Sequence, residues 1–355
     1  MRHRRTILLA ALLLLCAVAA VFGAGALLPH GADSARAADA VVLTIKHAGT
    51  TVKQYTLADL KAVTPYQGYA GFMTSGLTVH GPDPITGVSL VAVLHDAGLD
   101  LAAGQSLNLL ASDGYTANLS YDQVVNATGF DMFNATTTQA EAPSAALTPV
   151  LVYERNGVAL DPFDPQTGSG EGPLRLFVAQ PTDVNQVMEG SVSVSGVAAL
   201  DVLDQPITEW DLKLVGLKIH GTRQTITENR NAMDGCATPN CHKSAWTDAG
   251  DHAWTGVPLW RLMGVVDGGN RHLGNSYNAA LARKGYRIRL FDAAGNYRTI
   301  SSRVTPFRNT IVLATERDGV VLGAGLYPLR LVGPAKYVPV SRRLGGIVKI
   351  KMLPW

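Results

Sequence analysis

Gly87-Val88-Ser89-Leu90-Val91-Ala92-Val93-Leu94 and Gly256-Val257-Pro258-Leu259-Trp260-Arg261-Leu262-Met263 open alike. In each, a Gly-Val-x-Leu string runs into a short segment with apolar residues at helical spacing, and each segment ends near a glycine, Gly98 or Gly264. Outward from this pair, three further landmarks repeat in the same order. Thr56-Leu57-Ala58-Asp59-Leu60 and Thr225-Ile226-Thr227-Glu228 each follow a short apolar strand signal. Ser112-Asp113-Gly114-Tyr115 matches the turn from Asp292 to Tyr297, and Pro173-Leu174-Arg175-Leu176-Phe177-Val178 matches Pro328-Leu329-Arg330-Leu331-Val332. The last pair precedes a closing strand, expected at 191–197 upstream and 346–351 downstream. One shared string arises easily by chance, but landmarks that keep their order mark an internal repeat. The chain is therefore expected to hold two diverged copies of one domain, 38–205 and 206–355.

Within each copy, strand patterns such as Val41-Val42-Leu43-Thr44-Ile45, Leu107-Asn108-Leu109-Leu110 and Arg287-Ile288-Arg289-Leu290 outnumber the short helical ones. Brief strands, glycine turns and one or two helices per copy predict an α+β fold built on a mixed sheet or barrel. Segments 161–172 and 266–276 are polar and glycine-rich, and read as surface loops where a ligand could be gripped.

Upstream of the repeat, Met1-Arg2-His3-Arg4-Arg5 precedes a stretch from Ile7 to Leu28 without a charged side chain. A basic start, an apolar run and the small residues of Ala35-Arg36-Ala37 are the parts of a signal peptide, 1–37, cleaved after Ala37 or, as second choice, Ala40. The apolar run also suffices to span a bilayer uncleaved, at roughly 20 residues, so an N-terminal membrane anchor is the alternative. Either way the protein is expected to be exported, periplasmic or extracellular. Loss of Arg2, Arg4, Arg5 and Arg36 against Asp33 takes the formal charge from +2 to about −1. No basic field then remains to hold nucleic acid, and no block of like charge suggests an interaction tail.

Trp254-Thr255-Gly256-Val257-Pro258-Leu259 and the later Pro328-Leu329-Arg330-Leu331-Val332-Gly333 resemble two signature elements of the oxidoreductase molybdopterin-binding domain, the fold of the sulfite oxidase catalytic core. The upstream copy keeps Gly87-Val88-Ser89-Leu90, Asp113-Gly114-Tyr115 and Pro173-Leu174-Arg175-Leu176 of the same pattern, so the resemblance extends over nearly all of the mature chain. It implies two sulfite-oxidase-like domains and a molybdenum ion held by the dithiolene of a pterin. It also implies redox or oxo-transfer chemistry on a small-molecule substrate, with an electron-transfer partner. In that family a cysteine thiolate shortly before the W-x-G-V-P-L element ligates the metal, a soft donor for an ion that cycles between oxidation states. Carried over by position, Cys241 or Cys236 would be that ligand, Trp254 would wall the cofactor, and Arg330 would offer a guanidinium fork to the pterin phosphate. Arg330 and its counterpart Arg175 equally suit a structural place at a strand end, facing solvent or a carboxylate. The upstream copy has no cysteine and is expected to be structural. Arg4-Arg5-Thr6-Ile7-Leu8, a loose twin-arginine pattern, suits export of an already loaded protein.

Cys16 lies inside the leader, which leaves Cys236 and Cys241 in Gly235-Cys236-Ala237-Thr238-Pro239-Asn240-Cys241-His242. This loop admits three chemistries. With Pro239-Asn240 as a turn, the two thiols can close a disulfide in an oxidising compartment. With His242 directly after the second thiol, they can attach haem c, His252, His220, His272 or Met263 completing the iron's axial set. Or one thiol ligates molybdenum. Structural zinc wants four donors, and three cluster here. The expected cofactor-binding residues are thus Cys236, Cys241, His242, Trp254 and Arg330, with Trp246 and Trp260 nearby. The expected activity is that of a molybdopterin-dependent oxidoreductase. The alternatives are a non-catalytic envelope or binding protein that kept the fold without cofactor, and a haem c electron-transfer module through Cys236, Cys241 and His242.

Overall fold

Ile311-Val312-Leu313-Ala314 is apolar at every position because its strand is covered on both faces. In the computed structural model, which describes residues 40–74, 77–219, 222–235, 242–267 and 277–355, Ile311 and Leu313 enter one core while Val312 and Ala314 enter another. The expected leader, 1–37, lies outside the described residues. The architecture is mixed and sheet-rich, with short helices, the longest described being Leu90–Asp96 at 7 residues.

Strands of the two halves follow one order. Upstream, Val41–His47 pairs antiparallel with Thr50–Thr56 and parallel with Val197–Leu203, beyond which lie Ser106–Ala111 and Thr116–Ser120. Downstream, Asp211–Ile219 pairs antiparallel with Thr222–Asn229 and parallel with Ile347–Leu353, followed by Arg287–Asp292 and Tyr297–Ser301. Each of these sheets packs its apolar face against a second sheet of the same half, and the two share a core.

The second sheets agree to the residue. Ile85 lies opposite Arg155 and Gly87 opposite Val152, just as Trp254 lies opposite Arg317 and Gly256 opposite Ala314. The register slips at the same place in both, between Thr86 and Gly87 and between Thr255 and Gly256. Arg175 then pairs with Val152 as Arg330 pairs with Ala314. Glu154-Arg155-Asn156-Gly157-Val158 and Glu316-Arg317-Asp318-Gly319-Val320 form matching hairpins, a repeat stronger than any landmark above. Their central residues sit at positive φ, 54° and 73° upstream, 55° and 77° downstream. A two-residue turn that follows the strand twist needs this, and Asn-Gly or Asp-Gly supplies it. The upstream sheet grows to eight strands by adding Tyr66–Met73, Gln186–Glu189, Met132–Asn134 and Ala140–Glu141, whereas the downstream sheet gains Ser244–Thr247 for a total of five.

Three expectations are corrected. Thr56 does cap helix Leu57–Ala62, but Thr225-Ile226-Thr227-Glu228 lies inside strand Thr222–Asn229, and Asn229 caps the equivalent helix Arg230–Asp234. Threonine and isoleucine side chains favour the extended strand there. The upstream closing strand is Val197–Leu203, not 191–197, because Ser193 is held by Arg175 outside the ladder. Val266 and Asp267 are buried and do not start a surface loop; Asp267 Oδ2 accepts a bond from the Asn278 amide at 2.6 Å.

At the register slips the strands approach so closely that only glycine fits. A Cβ on Gly256 would stand 2.0 Å from the Leu313 carbonyl oxygen, and one on Gly87 2.3 Å from that of Leu151. Gly256→Ala is expected to cost about 1–3 kcal/mol or more. Gly104→Ala, where nothing lies within 4 Å, should stay within about 0.5 kcal/mol. Denaturant unfolding of the two variants measures the difference.

Candidate functional site

Asn229 ends its strand as an N-cap, its side chain accepting the Ala232 amide at 2.8 Å, and so starts helix Arg230–Asp234 at the junction of the halves. This cap aims Arg230 inward, where it is 1% exposed and the largest fully buried side chain. Its guanidinium donates to the Asn118 carbonyl at 2.6 Å and Gln123 Oε1 at 3.0 Å in the upstream half. From the downstream half it meets Glu209 at 2.9 Å and Asn231 Oδ1 at 2.7 Å. Burial outweighs the attraction of Arg230 and holds the Glu209 carboxyl above its usual range.

A buried acid stands against the same helix. Glu189 accepts bonds from Ser191 Oγ at 2.6 Å and from the Asn229 side chain, which also donates to Asp131 at 2.8 Å. Burial pushes the Glu189 carboxyl up to about 7, with the nearby Asp131 carboxylate adding to the rise and the Ser191 and Asn229 bonds opposing it. Tyr115, donating to the Ser191 carbonyl at 3.0 Å, is pushed up to about 12, first by burial and then by the charges of Glu189 and Asp113.

This junction sets both ends of the cysteine loop. Gly235, directly after the helix, packs so tightly on Tyr115 that a Cβ would lie 2.1 Å from the phenol oxygen. On the far side, His242 Nε2 pairs with the Met233 carbonyl at 2.8 Å, and burial lowers the affinity of its ring for a proton. Lys243 follows, 3.5 Å from Glu316 and 3.9 Å from Asp234. A cleft against the helix, lined by Asn118, Trp210, Arg230, Asp234, Glu316 and Tyr327, holds room for about one water, roughly 10 Å³. Among the described residues Arg230 Nη1 and Asp234 Oδ1 have no hydrogen-bond partner there.

The outer face of the downstream second sheet is a different surface. Because strand residues alternate faces, Arg330 shares a side with Trp254, and its guanidinium lies 4.8 Å from the indole ring. Arg317 reaches the same ring at 5.6 Å, and Arg343 lies 5.2 Å from the ring of Trp246, the cross-strand neighbour of Trp254. Trp254 is buried and donates to Asp248 at 2.9 Å. Burial, then repulsion from Arg343 and Arg317, lowers the proton affinity of Arg330.

Of the residues expected to bind a cofactor, Trp254 and Arg330 thus meet, and His242 belongs to the junction. Cys236 and Cys241 lie outside the described residues, as do His220 and His272. His252 pairs with Asp318 at 2.7 Å on the surface, and Met263 is fully buried in the core. Trp260 is a core residue stacked edge-on with Tyr277. Sequence reading missed Arg230, Glu189, Tyr115, Arg317 and Arg343. The repeated Glu-Arg-Asn/Asp-Gly-Val string would have flagged Arg317, and Tyr115 lies in a repeated turn string, whereas no local pattern distinguishes Arg230, Glu189 or Arg343. No protein-family model matches the chain, and a search of curated proteins finds no match.

Two outcomes follow from the junction. Arg230→Ala strands Glu209 and the first-half acceptors without a partner, and should cost about 3–5 kcal/mol in chemical unfolding. Glu189 takes up its proton more readily folded, at about 7, than at its ordinary 4.5. Its contribution to stability is therefore complete below about pH 4.5 and lost as pH rises through about 7. Glu189→Gln should flatten this part of a stability-against-pH curve measured by urea unfolding.

Proposed function

We propose that this chain is an exported molybdopterin-type oxidoreductase built from two diverged sulfite-oxidase-like copies, 38–205 and 206–355, the downstream copy holding the cofactor. The observation that carries the reading is the concentration of chemistry in one half. The thiols, the half-buried imidazole of His242 and the arginine-rich face all fall downstream, on a strand framework whose upstream counterpart has none of the thiols.

The residues present suit a bulky anionic group carrying a soft metal. Arg343 Nε is buried without a hydrogen-bond partner, and Arg330 and Arg343 have no carboxylate within ion-pair distance among the described residues. These guanidiniums, beside Trp254, would anchor an anion of cofactor or substrate, and Cys241 or Cys236 would supply the thiolate. When bound, a molybdenum pterin supplies two-electron redox chemistry with transfer of an oxygen atom to or from a small substrate. The chain's own contribution is positioning. Arg230 locks the helix before the loop, and Gly235 on Tyr115 and His242 on Met233 hold the two ends of the loop. Glu189 keeps a proton available near neutral pH at the base.

His242 bears on the haem alternative. Its Nε2 is engaged by the Met233 carbonyl, which leaves Nδ1 as the ring nitrogen for a metal. The bond to the carbonyl fixes the ring's orientation, a second contact that suits a ligating imidazole as well as a positioning one.

Metal analysis of protein exported from a host that makes both cofactors tests the reading. About one molybdenum per chain is expected, lost in the variant that removes the ligating thiol, Cys241→Ser or Cys236→Ser. A haem absorption band in place of molybdenum would assign the electron-transfer role. A peptide mass lower by two protons, with neither cofactor present, would leave a binding protein of the same fold.

A further inference from the structure

Backbone hydrogen bonds tie the two arginine faces together position by position. The Val197 amide bonds the Leu174 carbonyl as Ile347 bonds Leu329, both at 3.0 Å. The Leu176 amide bonds Val194 as Leu331 bonds Leu344, and Gly196 bonds the Glu171 carbonyl as Gly346 bonds that of Leu326. With the strand registers, these make Arg155 the counterpart of Arg317 and Arg175 of Arg330. Glu171 then corresponds to Leu326, Ser193 to Arg343 and Asp83 to His252.

In the upstream half the arginines are neutralised from within the chain. One oxygen of the Glu171 carboxylate lies 2.7 Å from Arg175 and the other 3.2 Å from Arg155. Ser193 Oγ accepts from Arg175 at 2.9 Å, and Asp83 stands 3.8 Å from Arg155. Arg175 is covered by the rings of Phe72 and Phe177 and is buried.

Downstream, every one of these partners has changed while both arginines remain. The bridging carboxylate is replaced by Leu326, which packs beside Trp254, and the serine by a third guanidinium, Arg343. The acids that act on this face are both engaged: Asp248 by Trp254 and two backbone amides, Asp318 by His252 and the Ala253 amide, with Arg317 at 3.9 Å. Three guanidiniums thus converge beside two indoles. Like charges held this close are destabilising unless an anion sits among them.

We propose that the face formed by Arg317, Arg330 and Arg343 binds the carboxylate of a small ligand, which takes the charge-bridging role that Glu171 fills in the upstream half, with its apolar body against the partly exposed Trp246. The planar, two-oxygen bridge seen between Arg155 and Arg175 sets the chemical class. This names the acidic group of the substrate for the activity proposed above, but rests on the chain's own residues whether or not a metal is bound.

Titration of the purified protein with benzoate, followed by tryptophan fluorescence, tests it. Benzoate should bind saturably and the neutral isostere benzamide should not. Arg330→Gln and Arg317→Gln should each weaken benzoate by about tenfold or more. Leu326→Glu, which restores the upstream carboxylate, should abolish binding without lowering the thermal midpoint. Equal binding of benzamide, or unchanged affinity in both arginine variants, would overturn the proposal, as would phosphate or sulfate binding more tightly than benzoate. If Leu326→Glu lowers molybdenum content, the arginines belong to the cofactor and the carboxylate assignment fails. Saturable benzoate binding to protein without molybdenum sustains it while the oxidoreductase reading falls.

Discussion

One buried guanidinium governs how the two halves meet. Arg230 is withdrawn from water, and the effective penalty for burying such an ion is several kcal/mol before its partners offset it. Those partners come from both sides: Asn118 and Gln123 from one half, Glu209 and Asn231 from the other. Separation of the halves would strip the guanidinium of its Asn118 and Gln123 acceptors and leave Glu209 and Asn231 alone to offset its burial, which disfavours other arrangements of the junction. The helix that carries Arg230 also leads directly into Gly235, the residue before Cys236.

Glu189 is tied into the junction by neutral amides and a hydroxyl rather than by a cation. Burial raises its carboxyl to about 7, and these neutral bonds only partly oppose the rise. A cation in place of Asn229 would have held it ionised. The junction therefore combines a permanently charged group with one whose charge depends on pH.

The halves share a scaffold and differ in what they place on it. Strand order, the register slip at Gly87 and Gly256, and the hairpin at Asn156-Gly157 and Asp318-Gly319 are common to both. All are backbone requirements, satisfied by glycine or by residues that tolerate positive φ. Side-chain partners were free to change, and they did so where the two faces diverge. The upstream half closed its arginines with Glu171 and extended the sheet to eight strands; the downstream half stayed smaller and, among the described residues, left Arg330 and Arg343 without a carboxylate at ion-pair distance. Function on such a framework resides in the few positions that break the correspondence.

The sequence by itself determined a mixed, sheet-rich α+β class, several of its strands and the strings that recur in both halves. Alternation of Leu43 with Ile45 or Leu329 with Leu331 is a local consequence of the two-residue strand period, and turn glycines are required by the backbone at their own positions. It also brought Trp254 and Arg330 under suspicion, since each lies inside a repeated string. Only the tertiary structure decided which arginine is buried, which is paired and which is left open. Arg175, Arg230 and Arg330 look equivalent along the chain, yet their states depend on Ser193, Gln123 and Arg343, residues brought near by folding. Charge compensation falls off with distance in space, and linear order does not carry that distance.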